Sequence, residues 1–385
     1  MKFATTLLLV CSLLFTLSCT RPPKRQVIIG ALYNLTGDQA SLDVPSSRGI
    51  QLAYMELLRD PDIDMPPVDI MLLDGQTDPD VIRQLADNFV QLQVCAIVGF
   101  SDTDMVLAAM PAAHEAGIPF ITSGATSPLL PQQTDGDVFL ACFGDNVQAA
   151  AAAEYAYNEL DLRNMFVLLD SGMEYTRLLA GYFKSSFEEL GGNVIFEDTF
   201  EGPEGTIQPQ IDLISSIGTS PDGFFLAAGP DDCGRLVAQL REAGFSQPVI
   251  GGDSFDTPKL QLEAGAAAND VYFTTHAFLQ ESSADSLQLE FINNYRLHFG
   301  TPPENAFSAL AYDAVKMIIA ACKARQGNET LAQSLENMGG YQGVTGEITY
   351  GPGQHIPVKN VSIVTVQSDS LKLAARITPQ HVPQP

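Results

Sequence analysis

Basic charge is what this chain has least of: 20 lysines and arginines stand against 46 aspartates and glutamates, a formal net charge of −26. Nucleic acid and bare anionic lipid are therefore poor partners, and no nucleic acid is expected, because phosphate binding needs a basic face. The acidity runs along the whole chain and reads as a solvated coat. Long apolar runs are also missing. Only Ala4 to Leu17 comes near one, and it is broken by Thr5, Thr6, Ser12 and Thr16 and is shorter than the ~20 apolar residues a membrane helix needs. Metal-site spacing is absent: Cys95, Cys142, Cys233 and Cys322 lie far apart, and the histidines His114, His276, His298, His355 and His381 are dispersed, so no metal is expected. There is no GxxxxGK[ST] phosphate loop, no GxGxxG after the first strand and no HExxH pair. Gly252-Asp-Ser-Phe-Asp256 approaches GxSxG but lacks the closing glycine of a nucleophile elbow. Neither catalysis nor a cofactor is expected.

What is present begins with export. Lys2 precedes the Ala4 to Leu17 run, which ends in Ser18-Cys19, and this is the layout of a secretory signal peptide. Cys19 after Leu17-Ser18 resembles a lipoprotein signal, in which the cysteine becomes the lipidated first residue. The expectation is a signal peptide over 1–18, a tether over 19–26, and a protein on the periplasmic or extracellular face, held to the membrane by a lipid at Cys19. An ordinary cleaved signal with an incidental cysteine is the alternative. Cys95 and Cys322 read as core residues; an exported protein could pair two of its remaining cysteines, and the sequence does not say which.

Even without its first 18 residues, a chain of 385 is longer than one core normally serves, so two domains are expected. Apolar runs such as Val27 to Leu32, Ala96 to Val98, Met165 to Leu169 and Gly223 to Ala227 alternate with amphipathic patterns such as Ser46 to Leu58, Thr103 to Ala116 and Tyr175 to Leu190. Strand followed by helix, repeated, predicts parallel sheets with helices on both faces. The alternation breaks at Phe139 to Asn146 and at Thr275 to Ser283. A long amphipathic helix over Ala306 to Ala324 and a short strand over Glu347 to Tyr350 follow, and the polar, proline-rich end from Thr378 reads as disordered. Two neighbouring strand ends, Ile97-Val-Gly-Phe-Ser-Asp-Thr103 and Ile118-Pro-Phe-Ile-Thr-Ser-Gly-Ala-Thr126, open into turns that expose N–H groups and hydroxyls. In a parallel sheet that is where ligands bind, so a small polar ligand is expected there.

The order of certain pieces then becomes specific. Ile29-Gly-Ala-Leu-Tyr-Asn-Leu-Thr-Gly37, Arg48-Gly-Ile-Gln-Leu-Ala53, Pro111-Ala-Ala-His-Glu-Ala-Gly-Ile-Pro119, Gly124-Ala-Thr-Ser-Pro128, Gly251-Gly-Asp253 and Ala311-Tyr-Asp-Ala314 resemble the type I periplasmic solute-binding proteins of the leucine/isoleucine/valine-binding family. The resemblance implies an α/β fold of two doubly wound parallel-sheet lobes joined by a three-crossing hinge. With the breaks in the alternation and the proline-rich end, the expected bounds are an N-lobe at 27–143 with 277–351, a C-lobe at 144–276 with 352–372, and a disordered tail at 373–385. The resemblance also implies closure around a small solute, an amino acid of branched-chain type or a related amide, and delivery to the permease of an ABC importer. A ligand-sensing module of the same fold is the alternative.

The same resemblance assigns a site. Thr103 and Thr126 match hydroxyls that hold a ligand carboxylate, and the Gly124 carbonyl in the Gly124-Ala125-Thr126 turn matches the acceptor facing the ammonium. Asp253 matches the acidic partner of that ammonium, Tyr175 matches an aromatic wall, and Leu42 stands where an aromatic is common. Each position has a structural reading too: Thr103 and Ser101 as helix caps, Asp253 as a cap for a helix over Thr257 to Glu263, Tyr175 as packing. Asp102 and Asp104 flank Thr103 and would repel a carboxylate if they point inward.

Overall fold

The computed structural model describes residues 27–59, 66–134, 137–202 and 206–385; the expected signal peptide, the tether and Cys19 lie outside the described residues. Strand β1 (Val27–Tyr33), helix α1 (Ala40–Arg59), β2 (Val68–Asp74), α2 (Pro79–Gln91), β3 (Ala96–Gly99), α3 (Thr103–Glu115), β4 (Phe120–Thr122) and β5 (Val138–Leu140) build the first lobe. Their strands form one parallel sheet in the order β2-β1-β3-β4-β5. Strands β3, β4 and β5 are buried at every residue, which is why they read as unbroken apolar runs without alternation. Successive residues still part company: Ala31 and Val98 join one core with α1, Leu32 and Ile97 the opposite core with Phe89 and Ala109, as the two-residue strand period requires.

The second lobe holds α4 (Asp145–Asn158), β6 (Asn164–Asp170), α5 (Glu174–Glu189), β7 (Asn193–Phe200), α6 (Gln208–Ile217), β8 (Gly223–Ala227), α7 (Cys233–Glu242), β9 (Val249–Gly251), α8 (Pro258–Ala264) and β10 (Val271–Thr275). The chain then returns to the first lobe with α9 (Ser286–Phe299), α10 (Phe307–Ala324), α11 (Leu331–Asn337) and the hairpin β11 (Tyr341–Gly343) and β12 (Gly346–Ile348). Ile50, Ala53 and Leu57 of α1 share a core with Ala311, Val315 and Ile318 of α10. It crosses once more to β13 (Val361–Gln367) and β14 (Ser370–Ile377). The second sheet runs β7-β6-β8-β9-β10-β13-β14, parallel as far as β10 and antiparallel beyond it. Lys359 stitches two crossings together: buried, it donates to the carbonyl of Ala141 at 3.0 Å and to Thr345 Oγ1 at 2.6 Å.

The C-terminal expectation is corrected. Residues 373–377, expected in a disordered tail, belong to β14, because Leu371 and Leu373 pack on one core and Ala375 and Ile377 on another. Beyond the strand the chain docks on α4, through Gln380 N–H to Glu154 Oε1 at 2.7 Å and Asn146 Nδ2 to the Pro383 carbonyl at 2.8 Å. Helix α1 begins at Ala40, six residues before the expected start, and carries Pro45 within it.

Candidate functional site

In both sheets the strand order reverses beside the lobe's first strand, between β1 and β3 and between β6 and β8. Loops leaving such strands diverge and leave a crevice. The two crevices face each other across a cavity of about 350 Å³, lined by Asp102 and Asp104 after β3, Asp170 at the end of β6 and Met173 after it, and Pro230 and Asp231 after β8. Through Gln39, Asp102, Met173 and Pro230 it adjoins a narrow inner chamber of about 10 Å³, roughly the room one water needs.

The first lobe's wall is set by a bent strand end. Phe100 takes the left-handed conformation, φ 60°, a strain that persists only where surrounding bonds hold it. Its carbonyl accepts from Gly124 N–H at 3.1 Å and from Thr122 Oγ1 at 3.2 Å. The bend turns Ser101 and Asp102 into the cleft. Ser101 N–H donates to Asp43 Oδ1 at 3.0 Å, while Asn34 N–H donates to Asp43 Oδ2 at 2.8 Å. Asp102 caps α3, its Oδ1 accepting from Met105 N–H at 3.2 Å. Burial pushes the carboxyl of Asp43 up to about 7. Burial, with Asp104 close by, does the same to Asp102, also to about 7.

The second lobe's wall is organised around Asp253, two residues beyond β9 and 2% exposed. Its Oδ1 accepts from the Tyr175 phenol at 2.8 Å and from Gln148 Nε2 at 3.0 Å. Oδ2 lies 2.9 Å from His276 Nε2, so a carboxylate there fixes the imidazole proton on that nitrogen. His276 is itself stacked on Phe143 with ring centroids 3.8 Å apart, and burial holds its pKa below the ordinary value. Gly252 makes the arrangement possible, since a Cβ there would run into the Tyr175 phenol and Leu179. Asp253 does not cap α8; Thr257 does, its Oγ1 accepting from Lys259 N–H at 3.3 Å. The near-match to a nucleophile elbow is not one: the Ser254 hydroxyl donates to the Ala228 carbonyl at 2.7 Å, and His276 faces Asp253.

Of the residues singled out in the sequence, Leu42, Tyr175 and Asp253 line the inner chamber together. Thr103, Gly124, Ala125 and Thr126 line neither cavity. Thr126 Oγ1 donates to Asp145 Oδ1 at 2.6 Å, Ala125 N–H donates to Thr122 Oγ1 at 2.9 Å, and Thr103 Oγ1 is buried without a partner. Gln39, Ser101, Asp102, Met173, Pro230, Ser254 and Phe307 complete the chamber. No local pattern marks them, although Ser101 and Asp102 sit in the strand-end turn that does carry a signal. Gln148, in an alanine run, and His276, at a crossing, were equally hidden, because their role is to hold Asp253.

Several hydrogen bonds join the lobes across the cleft, among them Ala306 N–H of the first lobe to Asp256 Oδ2 of the second at 3.0 Å. Ser41 Oγ donates to Asp231 Oδ1 at 3.0 Å, and Glu174 N–H donates to Asp104 Oδ2 at 3.1 Å. Helix α5 has no side-chain cap from its own lobe, so Asp104 caps it from the other. Neither cavity is lined by lysine, arginine or histidine, and among the described residues no cluster of three or more His, Cys, Asp or Glu could hold a metal ion.

Known proteins share this architecture. A leucine-binding protein, LivK, from Thermotoga maritima superposes with a TM-score of 0.84 at 27% identity, covering 92% of this chain and 99% of that one. LivJ from Streptococcus pneumoniae, a branched-chain amino acid transporter substrate-binding protein in complex with isoleucine, gives 0.85 at 24% identity, over 92% and 100%. A Leu/Ile/Val-binding protein homologue from Brucella abortus is 25% identical over 327 residues, 84% of this chain and 86% of that protein. With its two facing switch points, its three crossings and a family model for periplasmic binding proteins matching residues 26–370, the chain belongs to the periplasmic binding protein family and has its type I fold.

Proposed function

We propose that this chain is the extracytoplasmic solute-binding component of an ABC importer, and that it captures an amino acid of branched-chain type, or a related amide, by closure of its lobes. One juxtaposition carries the reading: Tyr175 and Asp253 of one lobe and Leu42 and Ser101 of the other line a single chamber where the two switch points meet. Each lobe supplies half of the recognition, so a solute that touches both favours the closed form over the open one. The relatives named for leucine, isoleucine and valine support the solute class. The reading rests on Leu42, Tyr175 and Asp253, not on Thr103 or the Gly124 turn. Export and a lipid anchor at Cys19 belong to the same proposal; Cys19→Ser then leaves the protein in the soluble fraction, and retention on membranes counts against the anchor.

A thermal-shift panel of amino acids, amides, urea and small carboxylates tests the capture. With ligand at about 100-fold its dissociation constant the closed form gains about 2.7 kcal/mol, which is readily seen. A panel without a single shift overturns the reading.

A further inference from the structure

A helix N-terminus, with its free N–H groups and positive dipole end, is a natural seat for a ligand carboxylate. At α3 that seat is taken by the protein's own Asp102, whose Oδ1 accepts from Met105 N–H, and Asp104 adds a second carboxylate in the same turn. Asp102 is 4% exposed and lines both the outer cavity and the inner chamber. The charges that act on it are those of Asp104 and Asp43, and neither is a cation. Buried charges in proteins are ordinarily paired, and no lysine, arginine or histidine lines this cleft to pair with this one.

A second, independent observation is steric. A Cβ placed on Gly124 would lie 2.7 Å from Phe307 Cδ1, so the Phe307 ring rests on the turn that would otherwise meet an amino acid's backbone. Phe307 lines the inner chamber and the turn does not. The hydroxyls suited to a carboxylate are out of reach: Thr126 is bonded to Asp145, and Thr103 is buried outside the cavity lining. The chamber's about 10 Å³ admits a group the size of one water, which an ammonium is and a carboxylate-bearing Cα is not. The outer cavity of about 350 Å³ is of the size that takes an organic molecule.

We infer that the solute selected here is a small organic cation with no free carboxylate, an amine or a carboxyl-amidated amino acid, with its ammonium in the inner chamber that Asp102 and Asp253 line from opposite lobes. This rests on the capture reading above and narrows it: an ammonium is required and a neighbouring carboxylate is rejected. Above about pH 7, where Asp102 is ionised, a zwitterion would bring its carboxylate against it, and like charges brought together in a desolvated site are strongly disfavoured.

Isothermal titration with two matched series tests it: leucine, leucinamide and 3-methylbutylamine, then arginine, argininamide and agmatine. In at least one series the amide or amine is expected to bind about tenfold or more tightly than the parent amino acid. Asp102→Asn keeps a good helix cap and is expected to erase most of that preference. Tightest binding by the parent amino acid overturns the inference and leaves solute capture standing. So does silence from both series when another solute in the thermal-shift panel responds. Silence from the series and the whole panel overturns both. A preference that survives Asp102→Asn overturns the role given to Asp102.

Discussion

The Tyr175 phenol donates to Asp253 Oδ1 at 2.8 Å, joining the start of α5 to the segment just beyond β9. Both groups are buried, so removing the donor leaves a carboxylate oxygen with Gln148 alone. Tyr175→Phe is expected to cost about 1–3 kcal/mol of stability, the usual penalty for a partner lost in the interior, and to weaken solute binding. Urea denaturation and titration calorimetry report the two effects separately. Unchanged values in both would mean that the phenol is idle.

Gly252→Ala is a sharper probe of the same contact. The new methyl would collide with the Tyr175 phenol and Leu179, and overpacking of this kind costs about 1–3 kcal/mol. Combining it with Tyr175→Phe removes one of the colliding atoms, so the double variant is expected to be more stable than the sum of the single losses. Simple additivity would show that the two positions do not communicate.

The buried aspartates set a pH dependence. Burial, ahead of any other cause, pushes Asp43 and Asp102 to about 7, Asp145 to about 8 and Asp256 to about 6. In the unfolded chain an aspartate titrates near ~3.9, so above that value the folded state holds more protons. Their contribution is fully present below the unfolded pKa and is lost as pH rises through the folded values. His276 works the other way: burial lowers its pKa, and its contribution is lost as pH falls through the ordinary histidine range. The unliganded protein is therefore expected to melt higher near pH 6 than near pH 8. A melting temperature that climbs steadily from about pH 6 to 8 contradicts this.

Asp104 caps α5 only while the lobes are together. A side-chain cap is worth about 0.5–2 kcal/mol, and here that energy belongs to the closed form alone. Asp104→Ala is expected to speed solute release several-fold and to leave chemical stability of the separate lobes nearly unchanged. Stopped-flow dissociation measures this, and an unaltered off-rate would show that the contact contributes nothing to closure.

Much of this arrangement could be read before any coordinates. Leu42, Tyr175 and Asp253 were proposed from the order of strands, helices and turns that the chain shares with a known family, and the structure brings the three to one chamber. The turn at Gly124 looks available in sequence, and only the packing of Phe307, 183 positions further along, covers it. Strand β14 was missed because alternation of Leu371, Leu373 and Ala375 with polar neighbours is short, sits beside a proline-rich end, and gains its meaning from the cores beneath it.

The sequence by itself determined the local grammar: buried parallel strands from continuous apolar runs, helices from amphipathic spacing, and an α3 start near Thr103, although its cap is Asp102 rather than the Ser101 or Thr103 expected. Those signals span a few residues and need no distant partner. Tertiary structure alone decided which strand ends face one another, that Asp104 would cap a helix in the opposite lobe, and that Asp102 and Asp253 would share one chamber without a cation. Such pairings join residues 70 and 151 positions apart, and they exist only once two sheets and three crossings have brought the loops together.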